Sequence, residues 1–175
     1  MSFLDSIGGL IQQYASATGA APEGNVADHY AQMSQAAPQS SVIAGLTEAL
    51  GSGGAGGFAQ MAGQLFSNSG GTQQAGMLNS LLATAGPAVV SQFLGANAGS
   101  ALSGLLGGGQ TQVTPEQAAA IPPEEVQALA EHVHNADPGV VGRISEIYAE
   151  HPQVVQTLGA AAMAMAMRKI AAAHS

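Results

Sequence analysis

The chain has no cysteine and no tryptophan, and apart from histidine its only basic side chains are Arg143, Arg168 and Lys169. Without cysteine, disulfides, thiol nucleophiles and thiolate-ligated zinc or iron–sulfur centres are excluded. Redox compartment therefore leaves no mark on the sequence. Eleven acidic residues outweigh the three basic ones and give a formal net charge of −8. That balance counts against nucleic-acid binding, which needs a basic face to neutralise phosphates, and against electrostatic docking on an anionic membrane. Charged residues of both signs make up only 8% of the chain, against roughly 25% in typical soluble domains.

The shortage of charge is concentrated in one stretch. From Ala49 to Pro115 there is no Asp, Glu, Lys, Arg or His. A solvated surface without charge is unusual, so this stretch is expected to be covered by the rest of the chain, a second copy, a partner or a lipid surface. Hydrophobic residues at 46% can supply a core. The 24 glycines oppose long helices, since each Gly inside a helix costs about 0.5–1 kcal/mol relative to Ala. Short helices joined by Gly-rich hinges satisfy both constraints. Long apolar runs are also missing: the longest, Leu158 to Met167, falls short of the ~18 residues of a membrane-spanning helix. The opening MSFLDSIGGLIQQYASA lacks the positive start of a secretory signal. A cytoplasmic protein is the expectation.

What is present is helical periodicity. Phe3, Leu4, Ile7, Leu10, Ile11 and Tyr14 recur at 3–4 spacing behind Ser2 as a cap. Asn25 caps a second helix with Val26, Tyr30 and Met33 inward, stopped by Pro38. Ser40 or Ser41 opens a third with Val42, Ile43, Leu46 and Leu50, and GSGGAGG at 51–57 reads as a hinge. Inside the uncharged stretch three helices are predicted over 58–66, 72–85 and 87–94, with Pro87 in the first turn of the last. Residues 95–112 read as a Gly-rich linker or weak helix. Four proline-marked starts follow, at Thr114-Pro115, Pro122-Pro123, Asp137-Pro138 and His151-Pro152. The last helix is expected to run on through Met163, Met165 and Met167 and to close at Arg168 and Lys169. No alternating Val/Ile/Thr runs suggest strands. An all-α bundle of short helices is predicted, with an N-terminal region 1–94, a linker 95–112 and a C-terminal module 113–175, or all of these as one domain.

Few residues point to chemistry. His132 and His134 lie two apart on a helix and diverge by about 200°, so they cannot share a metal from one face. The i, i+4 spacing of HExxH is missing. Glu131, His134 and His151 could meet only through tertiary folding. Glu146 and Glu150 share a face at i, i+4, which on a surface helix reads as a solvated pair. Asp28-His29-Tyr30 cannot form a relay because helix neighbours diverge by about 100°. The glycine clusters lack the GK[ST] ending of a phosphate loop, no strand precedes them, and no GxSxG elbow occurs. Gly95 to Gly99 matches GxxxG, a close-approach motif of cheap composition here. The methionines at 163, 165 and 167 point to different faces, as in a central core helix. The three helices of 115–150 invite a helix-turn-helix reading, which the acidic third helix, with Arg143 against Glu146 and Glu150, argues against. No catalytic, cofactor-binding or metal-binding residue emerges.

FLDSIGGL, the uncharged LSGLLGGGQ and the following VTPEQAAAIPPEEVQALA resemble the YidB-like group of bacterial proteins. The resemblance covers mainly residues 1–11 and 100–130. It implies a bacterial cytoplasmic origin and an all-α fold and carries no catalytic residues. The long middle and the Ala/Met-rich last helix depart from that pattern. The expected activity is non-enzymatic: interaction or self-assembly through apolar helix packing, with itself or another protein as partner. The candidate surface is Phe3, Leu4, Ile7, Leu10, Ile11, Phe93, Leu94, Leu102, Leu105 and Leu106. The alternative is a peripheral membrane protein using the N-terminal stripe and the uncharged stretch.

Overall fold

Thr114 opens the C-terminal half with a full capping box. Its hydroxyl accepts from the Gln117 N–H, and the Gln117 side chain accepts from the Thr114 N–H at 3.0 Å, so two donors of the first turn are satisfied reciprocally. The same chain logic runs through the computed structural model, which describes residues 8, 9, 12, 26–97 and 99–173. The predicted stripe Phe3, Leu4, Ile7, Leu10, Ile11 and Tyr14, with the caps Ser2 and Asn25, lies outside the described residues.

The helices are α1 (Val26–Ala36), α2 (Gln39–Gly51), α3 (Gly54–Ser67), α4 (Gly71–Ala96), α5 (Ala101–Leu106), α6 (Pro115–Ala119), α7 (Pro123–Ala136), α8 (Val140–Ala149), α9 (Pro152–Val155) and α10 (Ala160–Ala173), with a 3₁₀ turn at Gln156–Leu158. No strand occurs among the described residues, and the fold is all-α. The inward faces are largely those the periodicity predicts. Val26, Tyr30 and Met33 are buried on α1, and Val126, Leu129, Ala130 and Val133 on α7. On α8, Val140, Val141, Ile144 and Tyr148 are buried, with Ile147 at the margin.

Packing crosses the expected boundary at 95–112. The uncharged α3 lies against α7, α2 lies against both α8 and α10, and α4 is touched by α6, α7 and α8. One apolar core runs from Val26 to Ala171. The closest approach is at Gly45 on α2: a Cβ there would stand 2.6 Å from the Ala166 carbonyl oxygen on α10 and 2.9 Å from Ile170 Cγ1. Only a residue without a side chain lets the two helices come this near. Met163 and Met167 of α10 are buried in this contact region, while Met165 is half-buried.

Two boundaries differ from the expectation, and the predicted break between residues 85 and 87 is present. The 51–57 hinge narrows to Ser52-Gly53, and α3 begins at Gly54. Burial of Phe58, Ala59 and Ala62 stabilises a glycine-rich first turn that propensity alone disfavours. The predicted helices 72–85 and 87–94 are two arms of α4, broken by Gly86 at φ 72°. Pro87 removes an N–H and excludes a continuous ladder across the break. The last helix does not run on from His151. It is split at Gly159, φ 93°, and α10 continues past Arg168 and Lys169, so these cations do not occupy its last turn. Lys169 pairs instead with Glu48 of α2 at 3.7 Å across exposed surface.

Candidate functional site

Helix α4 bends where Gly86 and Pro87 interrupt it, and the bend makes a half-open groove of about 560 Å³. Leu82, Pro87, Val90, Leu94 and Leu106 supply apolar wall, and Asn79, Ser91, Gln110, Thr111 and Gln112 supply amide and hydroxyl groups. No lining residue is ionisable. Here the charge-free sequence becomes a charge-free concavity.

Two polar attachments hold the facing wall. The Asn79 side chain donates to the Val113 carbonyl at 3.1 Å and accepts from the Val113 N–H at 2.7 Å, so the incoming segment is pinned as a neighbouring strand would be. At the other end, Glu125 of α7 accepts from the N–H groups of Ala101 and Leu102, both at 3.0 Å. Ser100 caps Ser103 beside it. A carboxylate on the free N–H groups of a first turn is favoured by hydrogen bonding and by the local dipole. The predicted linker thus contains a helix, α5, whose Leu102 and Leu106 belong to the core.

Of the residues expected to form an interaction surface, Phe93, Leu102 and Leu106 are buried within the chain itself. Leu94 and Leu105 are half-buried against the same core, and Phe3, Leu4, Ile7, Leu10 and Ile11 lie outside the described residues. Periodicity marks these side chains as apolar but does not say on which side of the molecule they end. The exposed members of the α4 second arm, Pro87, Ala88, Ser91, Gln92, Gly95 and Ala96, carry no bulky apolar signal by which periodicity could mark them. The Gly-Pro break at 86–87 is the sequence feature from which the groove could have been found. The GxxxG match does not describe a helix pair, because α4 ends at Ala96 and Gly99 lies beyond it at φ 93°.

The titratable residues divide into separate places. Glu146, Glu150 and His151 line a shallow cleft with Thr72, Gln73, Gly76 and Ile147, and Glu150 accepts from the Gln39 side chain at 3.1 Å. His132 and His134 are elsewhere on α7. Their rings lie 5.9 Å from the Phe93 ring and 5.4 Å from the Phe58 ring respectively. Among the described residues no three His, Asp or Glu side chains are placed to hold a metal. Two tyrosines have displaced acidity, and neither lines the groove or the Glu146–His151 cleft. Burial pushes the Tyr148 phenol up to about 12, partly opposed by its 2.9 Å contact with Ser69 Oγ; its hydroxyl also donates to Met77 Sδ at 3.6 Å. Burial raises Tyr30 further, and among the described residues its hydroxyl has no partner.

No protein-family model, curated protein or solved structure matches the chain.

Proposed function

We propose that this chain is a non-enzymatic helical protein that works by apolar contact, associating with copies of itself through its charge-free side, in the bacterial cytoplasmic setting that the YidB-like resemblance implies. One observation carries the reading. Only 28% of the most apolar 18-residue window of α4 is buried within the chain, so much of an uncharged helix is left outward. In a chain of net charge −8, this is the side on which two copies meet without direct charge repulsion. What α4 offers outward is small or amide-bearing, with Pro87, Ala88, Ser91 and Gln92 exposed and Val89, Val90 and Leu94 half-buried beside them, so the face is charge-free rather than strongly apolar. Size-exclusion chromatography with light scattering tests it: a discrete oligomer is expected, and a species that stays monomeric as concentration rises argues against self-association.

A second reading has its own support. By length and composition α4 could cross a membrane, although the Gly86-Pro87 break divides it. Peripheral insertion at a lipid interface is the form of this reading that the break permits. Flotation with neutral and anionic liposomes discriminates: recovery with neutral lipid supports the interfacial role, and no recovery with either removes it.

A further inference from the structure

We infer that the groove at the α4 bend is a binding site for a neutral lipophile: an acyl-chain-sized molecule ending in a hydroxyl, ester or amide and carrying no formal charge. Size, lining and charge each narrow the occupant. At about 560 Å³ the groove falls within the ~300–1,000 Å³ of small-molecule sites. Its walls are Leu82, Pro87, Val90, Leu94 and Leu106, which favour a hydrocarbon chain. At one side stand the uncharged donors and acceptors of Asn79, Gln110, Thr111 and Gln112, which suit a polar but neutral end.

Charge decides against the commonest lipophiles. A fatty-acid carboxylate would enter a site with no cation in its lining, on a chain whose net charge is −8. An anion there finds no ion pair and meets the repulsion of the chain's net negative charge. The site is also preformed. One wall is fixed by Asn79 to Val113 and by Glu125 to the start of α5, and the other is a helix bent at a glycine that holds φ 72°. Little ordering cost is therefore left for the ligand. The groove shares Pro87 and Ser91 with the outward face of α4, so the test must separate a lipophile from a second copy as occupant.

The test uses the full chain at a concentration where light scattering reports a single species. The neutral dye N-phenyl-1-naphthylamine is titrated in, then competed with dodecanol and with laurate, which share a chain and differ in charge. Saturable uptake of one dye per chain is expected, with dodecanol displacing it at least about tenfold more effectively than laurate, since each tenfold corresponds to about 1.4 kcal/mol. Ala83→Trp fills the groove from an exposed lining position and Val90→Gln makes its wall polar; both should weaken uptake at least tenfold with helical circular dichroism retained. Ala128→Trp, on the exposed side of α7, should leave it unchanged. No saturable uptake, equal displacement by laurate, or unaltered uptake in both groove variants overturns the assignment. Dye that is expelled as oligomer forms would show that a second copy is the occupant, and overturns it as well.

Discussion

Gly45→Ala should destabilise the fold even though it places the best helix former inside a helix. On propensity alone the change favours α2 by about 1 kcal/mol. The new methyl, however, would sit 2.6 Å from the Ala166 carbonyl oxygen, nearly 1 Å inside the ~3.5 Å of an ordinary contact. The obstructing atom is backbone, so no rotamer change relieves it, and α2 must move away from α10. A gap of 0.5–1 Å forfeits roughly a quarter to a half of each dispersion contact, and a large buried side chain makes about 40–60 contacts of ~0.1–0.2 kcal/mol. Only the facing part of Leu46, Met163, Met167 and Ile170 is affected, which puts the loss near 3 kcal/mol and the net cost near 2 kcal/mol, within the usual range for overpacking. For a chain of this length that is roughly 4–8 °C in Tm. Gly76→Ala is the control, because a Cβ there meets nothing within 4 Å; it should stabilise by about 0.5–1 kcal/mol. Urea unfolding followed by circular dichroism gives both values. A Gly45→Ala variant as stable as the parent, with unchanged m-value, would refute the close helix crossing.

Other expectations follow from the polar contacts. Tyr30→Phe should be neutral or stabilising by about 1 kcal/mol, since it removes a buried hydroxyl that has no partner among the described residues, whereas Tyr148→Phe should cost about 0.5–1.5 kcal/mol through loss of Ser69; chemical denaturation of the pair reads the difference in sign. Asn79→Ala leaves both polar groups of Val113 without their partner and should cost about 1–3 kcal/mol in the same assay. Glu125→Gln keeps the size but loses the carboxylate, and hydrogen exchange at the Ala101 and Leu102 amides should quicken by about tenfold or more. Tyr148 also sets a pH trend. Burial pushes it up to about 12 in the folded state, above the ordinary phenol value of 10.0, so the folded state holds the proton longer; its contribution is intact below pH 10 and is lost as pH rises from 10 towards 12. Unfolding free energy measured across that window should fall; Tyr30, raised further by burial, contributes to the same fall, so Tyr148→Phe should reduce it and Tyr148→Phe combined with Tyr30→Phe should flatten it.

The helix faces were legible because burial imposes a 3.6-residue period, which Val26, Tyr30 and Met33, or Val126, Leu129 and Val133, display without tertiary help. Thr114-Pro115 was legible because capping is local chemistry. The split at Gly159 was hidden, since Val154, Val155 and Leu158 before it carry on into the Ala/Met-rich run after it, and a single glycine at positive φ leaves no periodic trace. The groove was hidden for a different reason. Its walls come from α4, from α5 and from the segment before Val113, and the attachments of Glu125 and Asn79 that bring them together span 23 to 34 residues. The split between His132 and His134 on one side and Glu146 and His151 on another likewise depends on how α7 and α8 are set against α3 and α4.

Self-association through the charge-free side is tested most directly by placing a charge on it. Ala88 is exposed on the second arm of α4 and outside the core, so Ala88→Glu should leave the helical signal and the unfolding midpoint of the isolated chain intact. Light scattering on the parent and the variant, over the same concentration series, should show a discrete oligomer for the parent and a shift towards monomer for Ala88→Glu. A parent that remains monomeric throughout, or a variant whose mass matches an oligomeric parent, contradicts it.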